Sequence, residues 1–137
     1  MTPDGVHSYD RPRVRAAPTE LRGTWLHGDP VTLTLSGLTI VVAVKPNCDG
    51  CTAFVHSALD ELAHFTVILV SGTDEDHGEW SEALQPVLVS PESLAALNIR
   101  WPPFYVVIDA EQALVVGEGV VFGPTQVAEE AERYRTK

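Results

Sequence analysis

Both cysteines of the chain fall in one tetrapeptide, Cys48-Asp49-Gly50-Cys51, just after the apolar run Leu38 to Val44. Two thiols at this spacing can bridge one another, supply half of a tetrahedral zinc site, or stand as inert side chains. A helix starting at Asp49 would set Cys48 at a strand-to-helix junction, where N-terminal N–H groups stabilise a thiolate. A structural zinc needs four N or S ligands, and no second cysteine pair is present to complete the set. The five histidines, at 7, 27, 56, 64 and 77, are scattered without helical ligand spacing. A redox dithiol is therefore favoured over a metal site or two inert thiols, and neither metal nor cofactor is expected.

The flanking pattern indicates what would hold the pair in place. Val31 to Leu35 alternates Val, Leu and Leu with Thr, the period of a half-buried strand, and Ser36-Gly37 turns it into Leu38 to Val44. The second run is apolar on both faces, as in a central strand covered by helices. Val55, Leu59 and Leu62 recur at three- and four-residue steps with Cys51 and Ala58 on the same side, which predicts an amphipathic helix over Asp49 to Ala63. Phe65 to Val70 and Val87 to Val89 read as strands, Gly72 to His77 as an acidic loop and Glu79 to Leu84 as a short helix. Ser90-Pro91-Glu92 starts another helix, with serine as N-cap and proline at the first helical position. Trp101-Pro102-Pro103 interrupts before the strand Phe104 to Ile108, Asp109 to Gln112 turns into Ala113 to Val116, and Gly123-Pro124 opens a last helix to about Arg133. Strands alternating with helices and closed by a hairpin give an α/β sheet with helices on both faces.

The 137 residues carry 19 acids against 9 bases, a formal charge of -10. One domain of that size buries an ordinary core without structural disulfides, and the acidic balance argues against an extended phosphate-binding surface. Arg11, Arg13 and Arg15 cluster, but Pro12 and Pro18 break the segment and no aromatic residue interleaves, so nucleic acid is not an expected partner. Residues 1–23 read as a flexible arm and 24–137 as the folded domain. No apolar stretch reaches the ~18 to 20 residues that cross a bilayer, and no basic flank followed by a hydrophobic core opens the chain. The expectation is a cytoplasmic monomer without a membrane partner, its cysteines held as thiols at rest.

These pieces together resemble the thioredoxin superfamily, and within it the TlpA-like branch of thiol-disulfide oxidoreductases. The residues concerned are Val31-Thr32-Leu33 ahead of the central strand, Ile40 to Val44 running into Cys48-x-x-Cys51, and Pro103 four residues ahead of Val107-Ile108-Asp109. Lys45-Pro46-Asn47-Cys48 is also similar to the Ser-Pro-x-Cys opening of MauD-like members, and the match covers roughly Gly28 to Arg133. The resemblance implies a thioredoxin-like fold, a central mixed β-sheet flanked by helices on both faces, with a cis-proline loop lying against the disulfide. Pro103 occupies the cis position, with Pro102 as the alternative. Three positions depart from the pattern: Asn47 stands where the family usually has tryptophan, Val42 where thioredoxins have a buried aspartate, and Phe54 where some TlpA-like members have glutamate.

The activity so implied is thiol-disulfide exchange with a protein or small-molecule disulfide, with an electron-donating reductase as second partner, and the negative charge of Asp49 beside Cys48 sets the expected direction as reducing. Cys48, at the helix N-terminus and exposed, is the nucleophile, and Cys51 resolves the mixed disulfide. Asn47, Trp101, Pro102 and Pro103 are the substrate-binding candidates, Trp101 as either a platform or a packed aromatic. Asp49 is the nearest proton acceptor, or simply an acid favoured by the helix dipole, and Lys45 either stabilises the Cys48 thiolate or is solvated. His56 and His64 take no catalytic role. A peroxiredoxin would need threonine three residues before its reactive cysteine and proline four before that, where Lys45 and Val41 stand for Cys48. A copper chaperone would need a histidine near the proline loop, and none lies beyond His77. The alternative function is a non-enzymatic thioredoxin-fold binding module or a redox-sensing partner protein, favoured by the missing tryptophan and aspartate.

Overall fold

A computed structural model of the chain describes residues 15–26, 28–45, 48–56, 59–73 and 85–135. Among these, eight strands form one sheet: β1 Arg15–Ala16, β2 Glu20–Trp25, β3 Pro30–Thr34, β4 Leu38–Val44, β5 Thr66–Ser71, β6 Val87–Val89, β7 Phe104–Asp109 and β8 Leu114–Val120. Their spatial order is β1-β8-β7-β4-β5-β6-β2-β3. Helices α1 Asp49–Val55, α2 Pro91–Ala96 and α3 Pro124–Arg135, with a 3₁₀ turn at Asp60–Leu62, accompany the sheet.

β4 is its spine, paired in parallel with β5 and antiparallel with β7, and Ile40 to Val44 are wholly buried. The two-residue period of this strand sorts the core. Ile40, Val42 and Val44 join the cluster containing Cys51, Phe54 and Val55 of α1 and Val127, Ala128 and Ala131 of α3. Val41 and Ala43 join the opposite cluster, with Leu21 of β2 and with Leu97 and Ile99 just beyond α2. Helices therefore cover both faces of a mixed sheet, which is why the central run is apolar throughout. No helix among the described residues is long and apolar enough to cross a membrane.

Three sequence expectations need correction. The boundary between residues 23 and 24 falls inside β2: Arg15–Ala16 pairs with β8, and Glu20–Trp25 pairs with β3 and β6, so among the described residues the sheet already includes Arg15. Residues 1–14 lie outside the described residues. Proline and arginine hid these strands, and although β3 lies next to β2 in sequence, the partners β8 of β1 and β6 of β2 are remote. Arg15 forms an ion pair with Glu118 at 2.8 Å and donates to the Leu97 carbonyl at 2.7 Å. Gly23 approaches β6 so closely that a Cβ would meet the Val89 carbonyl oxygen at 2.5 Å, a fit open only to glycine.

The helix expected over Asp49 to Ala63 ends at Val55, capped by His56, and Leu59 takes the left-handed conformation with φ 58° before the 3₁₀ turn. Leu59 and Leu62 are still buried, so apolar spacing alone reads as one helix across the break. The closing strand is longer than Ala113 to Val116, running over Leu114–Val120. The acidic loop beyond Thr73 and the helix expected at Glu79 to Leu84 lie outside the described residues.

Candidate redox site

Cys48 caps α1. Its backbone is extended (φ -130°, ψ 116°), its Sγ accepts the Cys51 N–H at 3.3 Å, and its carbonyl accepts the Thr52 N–H at 2.9 Å and the Thr52 hydroxyl at 3.0 Å. Cys51 lies in the first turn with its Cα 5.2 Å from that of Cys48, and the two sulfurs are joined as a disulfide. The Lys45 N–H, just past β4, donates to Cys51 Sγ at 3.4 Å. Cys51 is wholly buried while Cys48 is partly exposed, so only the first sulfur is open to an outside partner.

The compartment around the buried sulfur is apolar. Val42 and Phe54 are fully buried in the same cluster as Cys51. Tyr105 lies across the ladder from Val42, and its hydroxyl donates to the Glu130 carboxylate of α3. Burial first, and then the Glu130 hydrogen bond and charge, push the Tyr105 hydroxyl far above the ordinary tyrosine range, so it stays protonated. Among the described residues no group of three or more His, Cys, Asp or Glu could hold a metal ion.

Antiparallel pairing brings the loop ahead of β7 to the disulfide end of the sheet, because Phe104 pairs with Ala43, close to the Lys45 end of β4. The Pro102–Pro103 peptide bond is cis, and the Pro103 carbonyl accepts the Val121 N–H at 3.2 Å. On the upstream side, α2 begins at Ser90, whose Oγ accepts the Ser93 N–H at 3.2 Å, with proline in the first turn. The helix stops where Asn98 turns left-handed at φ 58°, with Asn98 N–H bonded to Ala95 O at 3.0 Å and Ile99 N–H to Leu94 O at 2.9 Å. The loop is thus tethered at both ends. Trp101 projects from it 66% exposed, so it is not a packed aromatic, and with Asn98, Arg100 and Phe104 it lines an open cleft of about 310 Å³. The structure thus gathers Cys48, Cys51 and the Pro102–Pro103 loop at one end of the sheet, while Asn47 lies outside the described residues.

Sequence reasoning missed the turn after β8. Val120 is 48% exposed and Phe122 79%, at the same end, since Val120 pairs with Phe104. Gln126 holds this turn: its Oε1 accepts from Phe122 N–H at 2.8 Å and Gly123 N–H at 3.4 Å, and its Nε2 donates to the Val120 carbonyl at 2.9 Å. The signal was present in Gly123-Pro124-Thr125-Gln126, where a glutamine three residues into a helix start can reach back to the cap, as in a capping box.

No protein-family model matches the chain, and no curated protein sequence matches it. Solved structures do. The thioredoxin domain of a thiol-disulfide oxidoreductase from Bacteroides vulgatus superposes with a TM-score of 0.64 at 18% identity, covering 88% of this chain and 95% of that one. A putative protein disulfide isomerase from Bacteroides thetaiotaomicron gives a TM-score of 0.65 at 18% identity, covering 91% of each chain. A 2-Cys peroxiredoxin from Plasmodium vivax, in its reduced form, gives 0.57 at 11% identity, covering 90% of this chain and 98% of that one. Identities this low establish a common backbone and leave the chemistry to the side chains. By that backbone the chain has the thioredoxin-like fold, with Cys48 and Cys51 in the Cys-x-x-Cys arrangement at the start of its first helix.

Proposed function

We propose that this chain is a thiol-disulfide oxidoreductase working in the reducing direction on protein or small-molecule disulfides. The observation that carries the reading is the inequality of the two sulfurs, Cys48 partly exposed at the helix cap and Cys51 buried one turn behind it. In the reduced protein the Cys48 thiolate attacks a substrate disulfide, forming a Cys48–substrate bond and releasing the first substrate thiolate. Cys51 then attacks Cys48 Sγ, closing the Cys48–Cys51 disulfide and releasing the second substrate sulfur as a thiol, which takes up the proton that Cys51 gives up. Two electrons pass to the substrate, and an electron-donating reductase restores the dithiol. A reducing compartment such as the cytoplasm suits that cycle.

The direction follows from charge. Asp49 adds a negative charge next to Cys48, whereas a strongly oxidising protein needs an unusually stable thiolate. Substrate capture would use Asn47, Trp101 and the proline loop. Pro102 has no N–H, so at most its carbonyl pairs with an extended chain, a bond worth about 0.5 to 1.5 kcal/mol net. Selectivity then rests on side chains.

A non-enzymatic binding module is the second reading, and the buried Val42 favours it, since no carboxylate stands there to take the Cys51 proton. One experiment separates the two. Cys51→Ser should trap mixed disulfides through Cys48, and the wild-type pair should equilibrate with glutathione at a potential of about -270 mV, as thioredoxin does. Two thiols that persist in mild oxidant, or a Cys51→Ser protein that captures nothing while a thioredoxin control captures many adducts, would leave the binding module standing.

A further inference from the structure

We infer that the site selects disulfides that carry negative charge beside the sulfur, and that Lys45 and Arg100 are the residues that select them. This deepens the oxidoreductase reading and rests on it. The described residues include six Lys and Arg side chains, Arg15, Arg22, Lys45, Arg100, Arg133 and Arg135. Arg15, Arg22 and Arg135 form ion pairs with Glu118, Glu20 and Glu132, and Arg133 is not without an interaction partner. Lys45 and Arg100 are exposed, and neither side chain has an ion-pair partner among the described residues.

The placement of these two gives the pattern its meaning. The Lys45 backbone N–H touches Cys51 Sγ at 3.4 Å, and Arg100 opens the loop that runs through Trp101 to Pro103. The pairing of Phe104 with Ala43 sets that loop at the Lys45 end of the sheet. Among the described residues of a chain of net charge -10, the two cations without a carboxylate partner flank the disulfide end of the sheet, Lys45 directly after β4 and Arg100 in the loop leading to β7. An anion approaching Cys48 meets these two cations, with Asp49 the acid next to Cys48 in sequence.

The cleft beside the proline loop fits the same ligand. Arg100 and Asn98 supply donors for a carboxylate, and Trp101 and Phe104 supply aromatic surface for a short apolar stem. The recognised chemistry is therefore a carboxylate a few bonds from the reacting sulfur. An acidic residue flanking a protein cysteine would provide it, and so would a carboxylated low-molecular-weight disulfide.

The test uses three small disulfides of similar skeleton, 3,3′-dithiodipropionate, bis(2-hydroxyethyl) disulfide and cystamine. Each rate of reduction by the reduced protein is divided by its rate with dithiothreitol, which removes intrinsic reactivity. The normalised rate should be highest for the dianion and lowest for the dication, by on the order of tenfold at low ionic strength, and the spread should shrink to about twofold in 0.5 M salt. Arg100→Glu and Lys45→Glu should each lower the anion-to-cation ratio, and the double variant should invert it. A flat or cation-favouring wild-type ratio, or a ratio that neither substitution moves, overturns the inference while leaving the activity intact. Reduction of none of the three overturns the oxidoreductase reading and the inference with it. A second arm compares disulfide-linked peptides with Glu or Lys on both sides of the cysteine. Preference for Glu-flanked peptides makes the partner a protein, and selectivity confined to the small disulfides makes it a low-molecular-weight one.

Discussion

Replacing Val42 by aspartate tests whether the space around the buried sulfur is as dry as its packing implies. Val42 is wholly buried between the sheet and α1, in the cluster that holds Cys51 and Phe54. Losing its two methyl groups costs about 1.5 kcal/mol of burial. A neutral, unpartnered carboxyl group adds about 1 to 3 kcal/mol. Ionisation is the larger effect. A fully buried aspartate has its pKa raised by roughly 3 to 5 units, at about 1.4 kcal/mol per unit. The unfolded chain gives up this proton near pH 4, whereas the folded chain holds it. Each pH unit above about 4 therefore removes a further ~1.4 kcal/mol from the variant, up to the folded pKa. The deficit should be about 3 to 5 kcal/mol at pH 4.5 and should exceed 6 kcal/mol by pH 7.5, against a total stability of about 5 to 15 kcal/mol. Urea unfolding of wild type and Val42→Asp at pH 4.5, 6 and 7.5 reads this directly. A deficit that is the same at pH 4.5 and 7.5 would mean that the new carboxylate reaches water or a cation, and the account of an apolar compartment behind Cys51 would be wrong.

Gln126→Ala removes all three bonds that hold the Val120–Gly123 turn, two of them near 2.9 Å and one at 3.4 Å, and should cost about 1 to 2 kcal/mol by denaturant titration. Gln126→Glu keeps the acceptor and should lose less, so equal losses would assign the stability elsewhere. Tyr105 has a hydroxyl raised above its ordinary 10.0, chiefly by burial and then by Glu130, so the unfolded chain deprotonates first and alkali favours unfolding. Wild-type stability should therefore fall as pH rises past 10.0, and Tyr105→Phe should show a shallower decline; parallel curves would contradict this. Trp101 stands two residues from Pro103, and reduction of a disulfide relieves quenching of a neighbouring indole. Emission should rise on reduction, and Trp101→Phe should abolish most of that response; an unchanged response would place the quenched indole elsewhere.

Much of this molecule was legible in sequence because it is written in local periods and local chemistry. Leu38 to Val44 could only be a central strand, since its apolar character on both faces demands cover on both sides, and the structure divides its side chains between two clusters. Ser90 and Pro91 announced α2 through the cap bond they make within one turn. Cys48 and Cys51 were placed at the start of a helix by the order of residues alone, and that order fixes which sulfur leads. Tertiary structure decided what depends on residues far apart. β1 and β2 carry arginines and polar residues that read as an arm, yet β1 is satisfied by β8, about a hundred residues away, and β2 by β6 as well as by its sequence neighbour β3, and no local period reports the remote partners. The break at Leu59 was silent because Leu59 and Leu62 bury the same surface whether or not a continuous helix joins them. The free state of Lys45 and Arg100 was equally invisible. Whether a cation is neutralised depends on which carboxylates the fold brings within a few ångströms, and net charge, being a sum over the chain, contains no positions.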